Sequence, residues 1–226
     1  MTALSPYHPE VEALWQAVAQ TDARSVAVVS SHAGEGTTLI ASALARRAGL
    51  AGKPALLVDL NLARPGLARL FGVRPVADDI IDVPALGVAV LAAISQESAA
   101  RWREPGKLAG QLAEWSANFG LIVLDTAPVL STDYDTLPAT AAAAAADATV
   151  LTVLSGRTAL SAIRASREKL DAAGARLIGS VMNDRDNPSL LTELERETYR
   201  LAPLWPRAMA ALRNRLHRAT LLAVRV

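Results

Sequence analysis

The sequence predicts an α/β fold in which a mostly parallel sheet of about six to eight strands is flanked by helices. Apolar runs of five to eight residues recur along the chain, and segments of helical spacing alternate with them. This alternation is typical of βαβ units, whose strands are buried on both faces. A length of 226 residues and a hydrophobic content of 51% suffice for one large aliphatic core.

The pattern also places the individual elements. Strands are predicted at 25–30, 55–60, 87–92, 120–125, 148–154 and 176–182. Helices are predicted at 38–50, 64–71, 104–118, 136–146, 158–173 and 189–200. Segment 73–86 shows the least pattern and is predicted to be a surface loop. We therefore expect a single domain over 1–226, with a C-terminal helix at 205–226.

Composition limits the function classes. The formal net charge is +1, so no global field favours a nucleic acid, and we expect no nucleic-acid partner. The chain has no cysteine, which excludes disulfides, thiolate metal sites and a cysteine nucleophile. The N-terminus lacks the pattern of a secretory signal, and 136–156 is better interpreted as a helix followed by a strand than as a membrane span. We expect a cytoplasmic protein.

A glycine-rich loop follows the first predicted strand, in the stretch SSHAGEGTTLIAS at 30–42. Gly34 and Gly36 precede a helix that opens with Thr37 and Thr38. Such a loop exposes backbone N–H groups, and the helix dipole adds partial positive charge at the same place. The segment is thus suited to bind an anion through its backbone.

Three interpretations of this loop compete. It could be a tight strand-to-helix turn, since glycine pairs are common there. It could be a dinucleotide-binding fingerprint, because Asp59 ends the next strand about 20 residues on; however, Leu39 stands where the third glycine belongs. The third interpretation is a P-loop, although none of the three lysines, Lys53, Lys107 and Lys169, lies in the loop.

Acidic residues at the ends of two later strands favour the P-loop. Asp59, Asn61 and Arg64 follow the second strand, and Asp125 ends a run of four apolar residues, where a Walker-B carboxylate holds Mg²⁺ or its water. A lone acid at a strand end is more often a cap or turn residue. Because the carboxyl ends of parallel strands converge, however, these acids and the glycine-rich loop are expected to form one site.

These motifs together resemble those of the tyrosine-kinase-like ATPases of bacterial polysaccharide assembly, the CpsD/CapB type, within the wider MinD/ParA class of P-loop proteins. The family pattern S-x-x-P-G-E-G-K-S/T corresponds to 30–38, D-x-D-x-R-x-P to 59–65 with Arg64 one position after the pattern's arginine, I-D-T-P-P-V to 124–129, and G-x-V-x-N to 179–183. The resemblance covers about 5–184, with the motifs in the family's order.

The resemblance implies a cofactor, ATP or ADP with Mg²⁺, and a set of site residues. The residues it implies around the nucleotide are Gly34, Glu35, Gly36, Thr37, Thr38, Arg64 and Asn183. Those implied around the metal are Thr38, Asp59 and Asp125, of which Asp59 and Asp125 would be the catalytic carboxylates.

The departures from the family lie where the chemistry would occur. Thr37 replaces the lysine that would touch the β- and γ-phosphates, and Asn61 replaces the second acid of D-x-D. Losing one pre-organised transition-state contact typically costs about 10²–10³ in rate. Thr38, Asp59 and Asp125 are kept, so nucleotide binding is a stronger expectation than hydrolysis.

Two further features of the kinase-type members are missing. Tyrosines occur only at positions 7, 134 and 199, so the C-terminal tyrosine cluster that is autophosphorylated has no counterpart. The N-terminal E-x-x-R-x-x-R element, which supports ring assembly, matches at Glu12 but has Trp15 and Val18 in place of the arginines. Both departures weaken the interpretation as a ring-forming autokinase, although self-association stays an alternative.

The C-terminal segment 205–226 predicts a basic amphipathic helix, because apolar residues recur at steps of three and four between arginines. Such a helix could pack on its own domain, dock on a partner, or lie on an anionic membrane surface.

The favoured hypothesis is a catalytically degenerate P-loop protein that regulates exopolysaccharide synthesis or export. Its expected partner is a membrane-embedded polysaccharide co-polymerase or related assembly protein, at the periphery of the inner membrane. One alternative is an active ATPase or tyrosine kinase of chain-length control. Another is a MinD/ParA-like positioning ATPase, against which stands His32 at the position of that group's signature lysine.

Overall fold

A seven-stranded sheet forms the centre of the fold, with strand order β3-β4-β2-β5-β1-β6-β7. The computed structural model describes residues 4–133 and 136–185, and beyond them only 198, 199, 205, 206, 209, 210, 212 and 216. The strands are β1 Ser25–Ser30, β2 Ala55–Asp59, β3 Ile80–Val83, β4 Val88–Leu91, β5 Leu121–Asp125, β6 Ala148–Leu154 and β7 Leu177–Asn183. All neighbouring strands are parallel except β3 and β4, which confirms the predicted α/β class.

Seven α-helices accompany the sheet within the described residues. They are α1 Pro9–Ala19, α2 Thr37–Leu50, α3 Leu67–Phe71, α4 Gln96–Arg103, α5 Lys107–Trp115, α6 Ala139–Ala145 and α7 Leu160–Ala172, and a 3₁₀ turn covers Pro84–Leu86. None of the helices in the described part of the chain has the length and apolar character needed to cross a membrane.

The sheet is buried on both faces, as its continuous apolar strands require. Along β1, Ala27 and Val29 belong to one hydrophobic core, whereas Val26 and Val28 belong to the other. All four side chains are fully buried. Because both faces of the sheet are covered, a ligand could reach the strands only at their ends, and the loops that follow the parallel strands meet at the carboxyl ends.

The chain divides into two units. The first, Met1–Leu154 with Thr158–Asn183, contains all the strands and helices named above. The second comprises Ser155–Arg157 and Asp184–Val226. The predicted helices 189–200 and 205–226 lie mostly outside the described residues, so the amphipathic tail and the single-domain organisation stay predictions.

Several predicted elements differ from the observed ones. Segment 73–86, predicted to be a loop, contains β3, an antiparallel edge strand that ends at Val83, just before Pro84. Predicted helix 104–118 begins only at Lys107, because Gly106 precedes it with a left-handed φ of 77°. Helix α4 was not predicted, although Ser95 caps it by accepting a hydrogen bond from the Ser98 amide.

The remaining differences concern a helix near the N-terminus and the first residues of two predicted helices. Helix α1 was not predicted, and predicted helix 64–71 is shortened to α3 at Leu67–Phe71. Predicted helix 136–146 begins one residue after Pro138, whose fixed φ suits the position before a helix.

Candidate functional site

The glycine-rich loop joins β1 to α2 with the backbone that an anion site needs. Gly34 and Gly36 have φ angles of 86° and 102°, which side-chain-bearing residues rarely adopt. Gly36 is the N-cap of α2, and no side chain caps the helix. The first amide groups of α2 are therefore left for an external acceptor, as at helix starts that bind phosphate.

Asn183, at the end of β7, reaches this loop as the family motif implied. Its Nδ2 donates a hydrogen bond of 2.9 Å to the Glu35 carbonyl. A Cβ atom on Gly36 would lie 2.4 Å from that same Nδ2, so only glycine fits there without a shift of Asn183. The contact brings the ends of β1 and β7 together although β6 separates the two strands.

Asp59 and Asp125 lie side by side at the carboxyl edge of the sheet. They are directly paired in the parallel register of β2 and β5. The Leu60 amide also donates a hydrogen bond of 2.8 Å to the Asp125 carbonyl, which holds the two strand ends together. The two acids are thus adjacent, as expected, and β5 also pairs with β1, the strand that leads into the glycine-rich loop.

The Asp59 carboxylate shapes the loop that follows it. Oδ1 accepts from the Asn61 amide at 3.1 Å, and Oδ2 accepts from the Gly66 and Leu67 amides at 2.8 and 3.1 Å. Burial raises the pKa of Asp59, and these backbone hydrogen bonds oppose the rise. Asp59 thus serves as a turn and cap residue at the start of α3, in addition to any role toward a ligand.

Asp125 is the opposite case, because it is fully buried and neither carboxylate oxygen makes a hydrogen bond of ordinary geometry within the described residues. Burial raises its pKa well above the ordinary value, the Asp59 carboxylate adds to the rise, and the nearby Thr38 hydroxyl opposes it. A fully buried carboxylate with so little hydrogen bonding is costly unless a cation or a proton compensates it.

Thr38 completes this corner of the site. A Cβ atom on Gly66 would lie 3.1 Å from the Thr38 methyl carbon and 3.3 Å from its hydroxyl oxygen. The loop after β2 therefore packs directly on the first turn of α2. The corner therefore contains one hydroxyl and two carboxylates, from Thr38, Asp59 and Asp125. The described residues contain no group of three or more His, Cys, Asp or Glu side chains that could hold a metal ion.

The remaining predicted residues occupy distinct positions. Thr37 is the first residue of α2 and is 9% exposed. Arg64 is exposed, and within the described part of the chain its guanidinium makes no hydrogen bond or ion pair with the glycine-rich loop; its amide is bonded to Asn61. Of the residues implied around the nucleotide, Arg64 is thus the one that is not brought to the loop.

The two residues of α1 that stand in place of the ring-assembly arginines pack inside the fold. Trp15 and Val18 are buried, and Trp15 lies beneath the Arg47 guanidinium and the Lys53 ammonium, at 5.6 and 5.4 Å from the ring centre. Glu12 pairs with Arg47, whose Nη2 lies 3.0 Å from Oε1. This face of α1 is therefore used inside the fold, against α2.

Two features around the site were not predicted from the sequence: the side chains that support the glycine-rich loop, and a cleft beside Asp59. Thr158 and Ser166 support the glycine-rich loop through side chains that no local motif marks: the Thr158 hydroxyl bonds Glu35, and the Ser166 hydroxyl bonds that of Ser31. A cleft of about 1040 Å³ opens beside Asp59, between α3 and α4, with walls made largely of alanine and proline. Part of its wall belongs to α4, a helix that the sequence analysis did not predict.

The comparisons with known proteins address the fold. No protein-family profile and no curated protein sequence matches the chain. Among solved structures, the kinase domain of the Escherichia coli tyrosine kinase ETK superposes with a TM-score of 0.66 at 19% identity, covering 76% of this chain and 71% of that one. The VpsO kinase domain gives a TM-score of 0.66 at 22% identity, covering 77% and 92%.

The septum site-determining protein MinD of Pyrococcus horikoshii, solved with Mg-ADP, gives a TM-score of 0.58 at 22% identity, covering 72% of this chain and 70% of that one. The chain has the fold of these proteins. The fold expected from the resemblance to tyrosine-kinase-like and MinD/ParA-type ATPases is therefore confirmed, and at such identities the likeness shows the fold alone.

Proposed function

We propose that this chain is a P-loop protein that binds ATP or ADP together with Mg²⁺, weakly, and carries out little phosphoryl transfer of its own. It acts as a cytoplasmic regulatory partner in bacterial exopolysaccharide synthesis or export. The single observation that carries the proposal is the pairing of a phosphate-type loop with two adjacent strand-end carboxylates, while threonine stands at the lysine position.

The residues present fit a magnesium ion. Asp125 is a buried carboxylate whose two oxygens make no hydrogen bond of ordinary geometry among the described residues, with only the Thr38 hydroxyl nearby, and oxygen ligands of this kind suit Mg²⁺. Asp125 and the Thr38 hydroxyl would hold the ion, with Asp59 beside them. When bound, the ion would supply the positive charge that offsets the phosphates, which the loop otherwise lacks.

The charge balance explains why binding would be weak and conditional. Asp59 and Asp125 place two carboxylates at the strand ends beside the loop, and the lysine that would contact the β- and γ-phosphates is absent. Backbone amides of α2 remain as donors. Nucleotide binding would therefore depend on the metal far more than in a lysine-bearing P-loop.

The partner expected from the motif resemblance is a membrane-embedded polysaccharide co-polymerase or a related assembly protein. The basic segment 205–226 would bring the chain to that partner or to the anionic inner surface of the membrane. A co-sedimentation assay with anionic liposomes, using the full chain and a variant lacking 205–226, tests the membrane contact. A MinD-like positioning role would require that contact as well as nucleotide-dependent cycling.

An active ATPase or tyrosine kinase is the second candidate, favoured by the shared fold with the ETK and VpsO kinase domains. It would need a cation to replace the lysine, either from another part of the chain, such as Arg64, or from a partner protein. In that case turnover would approach that of lysine-bearing kinase domains of the same fold.

Binding and turnover should be measured separately on the purified protein. Isothermal titration with ATP and ADP, each with Mg²⁺ and with EDTA, should show binding only when the metal is present. Phosphate release, measured beside the ETK kinase domain, should stay at background. Turnover comparable to that enzyme would refute the degenerate part of the proposal, and absence of binding under every condition would refute the nucleotide site itself.

A further inference from the structure

A buried carboxylate lies within the glycine-rich loop itself. Glu35 is only 4% exposed, and both of its oxygens are bonded. Oε2 accepts from the Ser31 amide at 2.9 Å, and Oε1 accepts from the Thr158 hydroxyl at 2.7 Å, across 123 residues of sequence. Because hydrogen bonds to a charged acceptor are stronger than neutral ones, this side chain ties the start of the loop to its end and to the segment after β6.

Other side chains hold the same loop from the same side. The Ser31 hydroxyl is bonded to that of Ser166 in α7 at 2.9 Å, and both residues are fully buried. Asn183 bonds the Glu35 carbonyl, as described above. Thr158 in turn accepts a hydrogen bond of 3.0 Å from the Leu154 amide. The loop is thereby connected to β6, α7 and β7 through polar groups that satisfy one another.

We propose that Glu35 is a positioning residue that holds the phosphate loop in its binding shape before a ligand arrives. This inference rests on the proposed function, because the ligand concerned is the nucleotide with its metal. A loop that is already ordered does not pay its ordering entropy upon binding. In a chain without the P-loop lysine, this pre-organisation makes a larger share of the binding free energy.

The direction of the carboxylate is essential to the argument. A glutamate charge within a phosphate loop would repel phosphate if it faced the ligand. Here both oxygens are engaged by donors of Ser31 and Thr158, so the charge is compensated inside the protein. Loss of the Thr158 hydroxyl would leave one oxygen without its donor, and the loop would lose its link to β6.

The test compares Thr158→Val, which removes the hydroxyl at nearly constant volume, with Thr158→Ser, which keeps it. Thr149→Val is the control for loss of a threonine hydroxyl, because Thr149, at the other end of β6, is buried and its hydroxyl is likewise hydrogen-bonded, to the Ala143 carbonyl. Glu35→Gln is the second variant; its amide can still accept from Ser31 and donate to Thr158. Amide hydrogen exchange of 31–36 and the Kd for Mg-ADP are measured for each variant.

We expect exchange of the Ser31 amide in Thr158→Val to be at least ~10-fold faster, and Mg-ADP binding to be ~3- to 10-fold weaker. Thr158→Ser should restore both values, Glu35→Gln should have a smaller effect, and Thr149→Val should change neither locally. Unchanged exchange in both Thr158→Val and Glu35→Gln would overturn the inference, as would faster exchange with unaltered affinity.

The exchange measurement needs no ligand, so the two proposals can fail separately. If the wild-type chain binds no nucleotide under any condition, the proposed function fails, and so does the claim that Glu35 prepares a nucleotide site. The exchange rates would then still decide whether Glu35 orders the loop. If the wild type binds nucleotide but the Thr158 variants are indistinguishable, only the positioning role is refuted.

Discussion

Restoring the lysine of the phosphate loop is the most direct test of why the site would be weak. Thr37 is the first residue of α2, next to Gly36, and its side chain is nearly buried at the loop. In Thr37→Lys the ammonium would be placed where β- and γ-phosphates are contacted. A hydrogen bond to a charged group contributes about 1.5–3 kcal/mol, which corresponds to about 10- to 150-fold tighter binding.

The local charges move the expectation toward the lower end of that range. Asp125 is buried, makes no hydrogen bond of ordinary geometry among the described residues, and would attract the new ammonium in the absence of ligand. Part of the lysine's interaction would therefore already be present before binding. ATP should gain more affinity than ADP, because the lysine reaches the γ-phosphate as well as the β-phosphate.

The assay is isothermal titration of ATP and ADP with Mg²⁺ at two salt concentrations, since an ammonium contribution should weaken with ionic strength. Thr37→Met is the control, because it adds a chain of similar length without charge. If Thr37→Lys binds no more tightly than Thr37→Met, the missing ammonium is not what limits binding. Unchanged or weaker binding together with wild-type turnover would instead favour an active enzyme that draws its cation from elsewhere.

Three further predictions concern single contacts. In Gly36→Ala, the new Cβ would clash with Asn183, and alanine would have to keep the left-handed φ of this position. Urea denaturation should therefore show that the free energy of unfolding falls by about 1–3 kcal/mol, and titration should show no nucleotide binding. In the wild type, the raised pKa of Asp125 means that this residue's contribution to stability falls as pH rises from 3.8 toward its pKa in the folded protein. Because Mg²⁺ would bind the ionised carboxylate, it should raise Tm more at pH 8 than at pH 5. Asp125→Asn should abolish this response and should stabilise the metal-free protein at pH 8. Arg47 lowers the pKa of Glu12 from 4.5, so the stability lost in Glu12→Gln should be full above pH 4.5 and vanish as pH falls through the lowered pKa; a difference that persists in acid would contradict the ion pair.

The central strands could be predicted because their signal is local. Runs such as 121–124 are apolar throughout, and an acid follows each run directly. The register of β2 and β5 then follows from the topology, since parallel neighbours end at the same edge. That reasoning was sufficient to place Asp59 beside Asp125.

The missed elements have weak or misleading local signals. The edge strand β3 has only four residues, none fully buried, and Asp82 lies within it. A short strand with a charge and a following proline is typical of a protected sheet edge, and it looks like a loop in sequence. Helix α4 is mostly polar, so its start is indicated chiefly by the capping side chain of Ser95.

The support of the glycine-rich loop could not be predicted for another reason. The partners of Glu35 and Ser31 lie 123 and 135 residues away, in segments that carry no motif. Which way a glutamate turns within a loop depends on the donors that the fold brings near it, and periodicity contains no information about them. The family pattern contains this glutamate, but the pattern does not state its direction.

The three backbone hydrogen bonds of Asp59 affect how any mutational study of this chain should be designed. Neutralising an acid at a strand end is a routine way to silence a nucleotide-dependent protein, yet Asp59→Ala would also release the amides of Asn61, Gly66 and Leu67. The resulting loss of function would mix chemistry with a collapsed turn. Asp125, which supports no neighbouring amide through its side chain, is the cleaner position for such an experiment.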